Sequence, residues 1–430
     1  MAITGRVPLL LLLGLAPVVL RPGMGTVWLW LLAVILLVLA DWALAPSPRA
    51  MTMSRRPPGT VRQGTPAVSE LALSTEGGRT MRATVRDAWQ PSAGASDNRH
   101  KVRVTRDAGT RVSTPLLPVR RGDLRASGVT VRCFGPLGLA ARQATLDVPG
   151  TVRSLPPFDS RKHLPSRLAR LRDLDGRSAV RVRGQGTEFD SLREYVRGDD
   201  VRSIDWRASA RNRTVVVRTW QPERDRRVVL VLDTSRTSAG RVDDVPRIDS
   251  AMDAALLLAA LAARAGDRID FVAGDRQIRT RLRSAGARDV AATLQEAMAD
   301  LEPVIAEADW TALAGAVTAM GRQRALVVLL TPLEPTAIEE GLLPVLPTLI
   351  RHHRVVLASV QDPALSAMAA LHSDAAEVYD AAAAQQVLAQ RRRTSDLLRA
   401  LGADVVDAPA EALPPALADH YLALKARGLL

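Results

Sequence analysis

Lysine is nearly absent: only Lys101, Lys162 and Lys425 occur in 430 residues, so almost all of the 58 basic side chains are arginine. Lysine-dependent chemistry is thereby nearly excluded, and no Gly-rich run ends in the Gly-Lys-Ser/Thr of a phosphate-binding loop. The single Cys133 rules out an internal disulfide and any cysteine-based zinc site, and suits a reducing compartment. Aromatic residues make up 3% of the chain, too few to interleave a basic groove with stacking platforms for nucleic acid. There is no His-Glu-x-x-His and no Gly-x-Ser-x-Gly. The adjacent His352 and His353 lack a spaced acidic partner and read as exposed loop residues.

What the chain does have is segregated. At roughly 150 residues per domain its length predicts two or three folded units. The formal charge of +13 points to nucleic acid, an anionic membrane or an acidic protein, and more than half of that excess lies between Asp159 and Arg227. Hydrophobic residues crowd the N-terminus: Val7–Val19 and Thr26–Ala40 are apolar runs flanking Arg21-Pro22-Gly23-Met24-Gly25. They predict a transmembrane helical hairpin over residues 1–48. The roughly 18 residues from Ile3 to Leu20 would span about 27 Å, against a hydrocarbon core of about 30 Å. Trp28, Trp30 and Trp42 suit the two interfaces, with Asp41 at the boundary. A cleaved signal peptide is the alternative, and the second run argues against it. Arg6 before the hairpin and Arg49, Arg55 and Arg56 after it, with Arg21 alone in the turn, place both ends in the cytoplasm as a two-pass inner or plasma membrane protein.

Residues 49–156 alternate with period two between Gly, Pro, Ser and Thr turns, as in Thr80–Val85, Lys101–Thr105 and Gly128–Arg132, and predict a small β-sandwich with a flexible hairpin loop over Gln90–His100. Residues 157–227 are strongly charged, with a surface helix expected over Ser166–Leu174. Residues 228–430 begin with the apolar run Val228–Leu232 and an Ile248–Ala265 helix. Further buried strands follow at Ile269–Ala273, Ala325–Leu330 and Val355–Val360. Helices are expected near Asp289–Leu301, Thr336–Leu349, Ala383–Leu401 and Ala412–Ala426. That alternation predicts a doubly wound, mostly parallel α/β domain, in a chain that is multidomain α+β as a whole. The Arg391-Arg392-Arg393 run reads as a solvated helix face that can touch anionic lipid.

The richest segment runs from Gly184 to Arg211. Gly184, Gly186 and Gly198 permit positive φ, and Glu188, Glu194, Asp199, Asp200 and Asp205 stand among Arg193, Arg197, Arg202, Arg207 and Arg211. Bidentate pairing of these groups would give a rigid polar network rather than a phosphate groove, which sets nucleic acid aside. The alternative is a metal-assisted hydrolase using the same carboxylates. Gly184, Gly186, Phe189, Arg193, Tyr195, Gly198, Asp199, Asp200, Arg202, Asp205, Trp206, Ser209 and Arg211 together resemble the defining motif of the DUF58 family. The resemblance implies an N-terminal membrane hairpin, a β-rich segment, a C-terminal von Willebrand factor A-like domain and a MoxR-type AAA+ ATPase as partner. The function expected here, against that hydrolase alternative, is a non-enzymatic membrane-anchored adaptor whose motif and A-like domain bind such an ATPase or its client. Asp233-x-Ser235-x-Thr237 after the first apolar strand resembles the metal-ion-dependent adhesion site of A-type domains, with Thr311 as a further ligand for Mg²⁺. Pro332 stands where an Asp would complete the set, so a degenerate site is expected, with Asp233 and the hydroxyls capping their own loop as the simpler role.

Overall fold

The computed structural model describes residues 2–75, 80–105, 109–181, 188–221, 226–285, 289–321 and 323–430. It divides into two compact units, Met1–Leu155 and Pro156–Leu430.

The first unit opens with β1 (Ala2–Ile3), then α1 (Arg6–Leu13), α2 (Leu15–Leu20) and α3 (Met24–Leu44). Among the described residues α3 is the one helix long and apolar enough to cross a membrane, with a mean hydropathy of 2.4. At 1.5 Å per residue its 21 residues reach about 32 Å. The first apolar run is shorter than the sequence suggests because Ala2 and Ile3 are drawn into a strand against Ala141 and Ala140. What remains, Arg6–Leu20, reaches only about 22 Å. Among the described residues nine further strands join β1 to build the rest of the unit: β2 (Met51–Arg56), β3 (Thr60–Arg62), β4 (Ala67–Thr75), β5 (Met81–Trp89), β6 (Arg99–Val104), β7 (Thr110–Leu116), β8 (Gly122–Phe134), β9 (Ala140–Leu146) and β10 (Thr151–Leu155). They form a seven-stranded sheet around β8 and a three-stranded sheet β2-β4-β7. Strict burial alternation along β4 and β5 turns Leu71, Leu73, Met81 and Val85 into one core with Val129 and Val131 of β8. Inside the unit a fully buried Arg55–Asp87 pair at 2.7 Å is completed by Ser69 and by the Trp89 indole N–H. Every polar atom so withdrawn from water needs such a partner.

The second unit starts with α4 (Leu164–Arg181), whose Leu168, Leu171 and Leu174 lie against the main core rather than on an idle surface. A hairpin of β11 (Glu188–Glu194) and β12 (Val216–Gln221) follows, with α5 (Trp206–Asn212) between its strands. Then come β13 (Arg227–Asp233), the two-residue strands β14 (Arg241–Val242) and β15 (Val245–Pro246), α6 (Arg247–Arg264), β16 (Arg268–Gly274) and β17 (Ile278–Ala285). Next are α7 (Val290–Met298), α8 (Trp310–Ala319), β18 (Leu326–Leu330), α9 (Pro335–Ala337), which runs into a π-helical turn over Ile338–Leu342, and α10 (Leu346–His352). The unit closes with β19 (Arg354–Gln361), α11 (Pro363–Met368), α12 (Ala375–Ala400), β20 (Asp404–Pro409) and α13 (Leu413–Ala426).

Its six-stranded sheet has the order β17-β16-β13-β18-β19-β20, parallel except for the edge strand β17. Both faces are covered. Val228, Leu230 and Leu232 join α6, α7 and α13 in one core, whereas Val229 and Val231 join α8, α10 and the π turn in another. A strand buried on both faces must read as continuous Val/Leu rather than alternating, which is why β13, β18 and β19 were visible in the sequence. The chain leaves β13 toward β16 on one side and returns to β18 on the other. The C-terminal ends of β13 and β18 therefore flank the point where strand order reverses, the usual place for a site in such sheets.

Candidate functional site

Asp233 ends β13 at that point and is 1% exposed. Its Oδ1 accepts the Ser235 backbone N–H at 2.7 Å, and its Oδ2 accepts the hydroxyls of Thr331 at 2.7 Å and Thr237 at 3.3 Å. Ser235 and Thr237 share a further hydroxyl bond of 3.0 Å. Burial pushes the Asp233 carboxyl up, and these bonds offset part of that push. The neighbouring Thr234 donates to Asp275 at 2.7 Å, which Arg279 grips through two bonds. Burial raises the Asp275 carboxyl, but Arg279 and Thr234 outweigh it and leave the group below its ordinary value.

Asp233, Ser235 and Thr237 therefore converge as the spacing predicts, and Thr311 does not join them. Thr311 is exposed in the first turn of α8, a helix capped by Asp309 accepting from the Ala312 N–H. The hydroxyl that does arrive is Thr331, one residue before Pro332. The signal that would have found it is positional: Thr331 follows β18 as Asp233 closes β13. Mg²⁺ is held by hard oxygen donors in an octahedron. Here one carboxylate, already taking three hydrogen bonds, faces only hydroxyls. Among the described residues no group of three or more His, Cys, Asp or Glu is placed to hold a metal. As they stand the carboxylate and the three hydroxyls bond one another and the Ser235 N–H, a self-satisfied polar plug that fixes the β13 and β18 loops.

The motif segment is a second construction. Gly184 and Gly186 lie outside the described residues, and Phe189 is described only by its backbone pairing with Trp220. From Leu192 onward the chemistry is plain. Arg193 grips Asp199 through two bonds of 2.6 and 2.8 Å, and the Val196 N–H adds a third at 2.9 Å. The Arg193 bonds, then the Val196 N–H, hold Asp199 below its ordinary value. Gly198, at φ 113°, makes the turn that brings Asp199 back, a conformation Gly adopts without steric cost. Asp200 accepts from the Arg202 N–H at 3.0 Å. Asp205 caps α5 by accepting from the Arg207 and Ala208 N–H groups, and its other oxygen takes Arg218 at 2.8 Å. Its carboxyl is lowered by the Ala208 N–H first and Arg218 next. Ser209 bonds the Asp205 carbonyl at 2.7 Å and accepts the Val216 N–H at 2.9 Å, stitching α5 to β12. The Tyr195 N–H bonds the Val215 carbonyl at 2.7 Å.

The expected network of mutually paired charges is only partly present. Its side-chain ion pairs among the described residues are Arg193–Asp199 and Arg218–Asp205. Arg197, Arg202, Arg207 and Arg211 are exposed and lie outside those pairs. Beside them stand Trp206, 69% exposed, and Val196 and Val201, each 62% exposed. Among the described residues Asp199, Asp200 and Asp205 serve as turn clamp and caps, and the four arginines lie exposed beside them.

Two further expectations change. Arg391 is buried, bonding Asp407, Ser359 and the Val360 carbonyl, so only Arg392 and Arg393 of that run face solvent. His353 is buried rather than exposed, because it turns in at the start of β19.

Among solved structures the chain is similar to the complex of zinc 2-glycoprotein with prolactin inducible protein from human seminal plasma (14% identity, 24% of this chain and 92% of that one, TM-score 0.20). It is similar also to the CARDB domain of PF1109 in complex with di-metal ions from Pyrococcus furiosus (14% identity, 27% and 92%, TM-score 0.18) and to WR4, a C. elegans MSP family member (10% identity, 24% and 96%, TM-score 0.17). No curated protein matches the sequence. The family model described as "Protein of unknown function DUF58" matches residues 191–400, from the motif hairpin through most of the α/β fold, and supports the family resemblance carried by the motif.

Proposed function

We propose that this protein is a non-enzymatic, membrane-anchored adaptor. In this reading its N-terminal apolar segment crosses the membrane twice, the bulk is cytoplasmic, and the second unit is a doubly wound von Willebrand A-like domain. The motif hairpin and the A-like domain dock a MoxR-type AAA+ ATPase or its client. The observation that carries the reading is the division of labour in the motif: Asp199, Asp200 and Asp205 hold the hairpin and α5, while Trp206 and the arginines face outward. A hydrolase needs carboxylates converging with free oxygens on a shared pocket. A protein-binding surface needs an exposed Trp with Arg around it, the two residue types that dominate interface hot spots. The Asp233 bonds tie the β13 and β18 loops together at the top of the A-like domain.

Free arginines reopen the nucleic-acid reading that mutual pairing had set aside, and a lone exposed Trp within the described motif is a poor stacking platform compared with the successive aromatics such proteins use. The test is affinity purification of the full chain from solubilised membranes, with Trp206→Ala and Asp233→Ala alongside. The ATPase is expected with wild type, reduced at least tenfold by Trp206→Ala, and insensitive to nuclease. Undiminished capture by Trp206→Ala, or capture abolished by nuclease, refutes the proposal.

A further inference from the structure

The opposite end of the six-stranded sheet holds a cavity of about 400 Å³ between the starts of β13 and β18, within the range of small-molecule sites. Its wall carries Arg226, Arg227, Arg324 and Arg354, with Asp267 and the apolar Leu430. Two of these arginines are spent. Arg227 is paired with Asp270 and donates to the Met320 carbonyl at 2.8 Å, and Arg354 grips Asp404 through bonds of 3.0 and 2.7 Å. Asp267 is spent as well: it takes the Tyr421 hydroxyl at 2.5 Å and lies 3.6 Å from Lys425 Nζ. Arg226 and Arg324 line the same wall outside these pairs. Among the described side chains of this wall, Arg324 and Arg226, the latter acting on Asp267 only through space, are thus the cations outside these bonds.

We infer that this cavity binds a small dianion bearing phosphate or carboxylate groups. The guanidinium fork matches either oxyanion through two parallel N–H bonds, and charge-assisted bonds of this kind are about twice as strong as neutral ones. The spent arginines are locked by their carboxylates and form a fixed rim, so little side-chain freedom is lost on binding. Leu430 and the neighbouring Leu429 give one apolar side, which suits a ligand with a short carbon body. The inference stands apart from the adaptor proposal, which concerns the motif and the other end of the sheet.

The experiment titrates the full chain in detergent with sodium phosphate and with succinate at constant ionic strength, reading heat and melting midpoint. A saturable response is expected to at least one anion. Phosphate alone marks a phosphate-bearing ligand and succinate alone a carboxylate. Arg226→Gln/Arg324→Gln is expected to weaken it at least tenfold, as is the single variant Arg324→Glu at an exposed position. Arg392→Gln/Arg393→Gln removes the same charge elsewhere and is expected to leave it unchanged. No saturable response to either anion, or equal weakening by the two double variants, overturns the site.

Discussion

Carboxylates drawn out of water do different work here according to what meets them, and the half-buried Asp253 and the buried Asp233 mark the two cases. Asp233 is met by a backbone N–H and two hydroxyls from separate loops. Asp253, on α6, is met by Ser160 alone, through its N–H at 3.1 Å and its hydroxyl at 2.7 Å. Burial lifts the Asp253 carboxyl from 3.8 to about 6, against those bonds. Between those values the folded state keeps a proton the unfolded state has released, so stability falls as pH rises through the window and levels off above about 6. At about 1.4 kcal/mol per unit, the loss is on the order of 3 kcal/mol. Asp253→Asn keeps an acceptor for Ser160 and cannot ionise. Relative to wild type its melting midpoint is expected to rise from pH 4 to about pH 6 and to hold level from there to pH 7. A constant difference across that range would show that Asp253 is not the titrating group.

Elements here are joined by single polar residues that periodicity does not reveal. The end of α3 is the clearest instance. Asp41 is fully buried and accepts the backbone N–H groups of Leu137, Leu139 and Ala140 at 2.7 to 2.9 Å. Arg142, in β9, bonds the Trp42 and Ala43 carbonyls at 3.2 Å and lies 5.0 Å over the Trp42 ring, closing the helix C-terminus. Gly135 has no room for a side chain, because a Cβ there would run into the Asp41 carboxylate and carbonyl. The helix is therefore clamped to the β-sheet unit, not merely followed by it. Asp41→Ala orphans three N–H groups at roughly 1–3 kcal/mol each. It is expected to expose the amides of 137–140 to rapid hydrogen exchange, and unchanged protection there would refute the clamp. From the sequence Asp41 read only as an interface residue, because a carboxylate after an apolar run fits a membrane boundary equally well. The same limit explains β20: Asp404-Val405-Val406-Asp407 is too polar to read as a sheet strand, yet Arg354 and Arg391 neutralise both acids after folding. Strands whose signal is intrinsic, β13, β16, β18 and β19, were legible almost to the residue. Thr331 and α8 were not, since their roles depend on which loops the topology brings together.

At the scale of the whole molecule, the open question is how the N-terminal segment meets the membrane. A chain with α3 as its sole span places Arg6 and Arg21 together on one side and the second unit on the other. A two-pass chain instead leaves Arg21 alone outside, with Arg6 and the bulk inside. The helix lengths alone favour the first arrangement, since Arg6–Leu20 falls short of a hydrocarbon core of about 30 Å. The pairing of β1 with β9 favours the second, because it holds Ala2 and Ile3 against the β-sheet unit that follows α3. The protein offers a clean assay, for its single cysteine is silent: Cys133 is fully buried in the β-sheet core, and burial pushes its thiol up to about 11. The thiolate is the reactive form, so Cys133 is inert to maleimides in the folded protein. Arg6→Cys, Arg21→Cys and Arg392→Cys, all at exposed positions, then report their own sides of the membrane in intact cells. An impermeant maleimide is expected to label Arg21→Cys before lysis and Arg6→Cys and Arg392→Cys only after it. Labelling of Arg6→Cys together with Arg21→Cys in intact cells would leave α3 as the sole span. Labelling of Arg392→Cys in intact cells would place the α/β unit outside, and protection of all three until lysis would mean that α3 does not cross either.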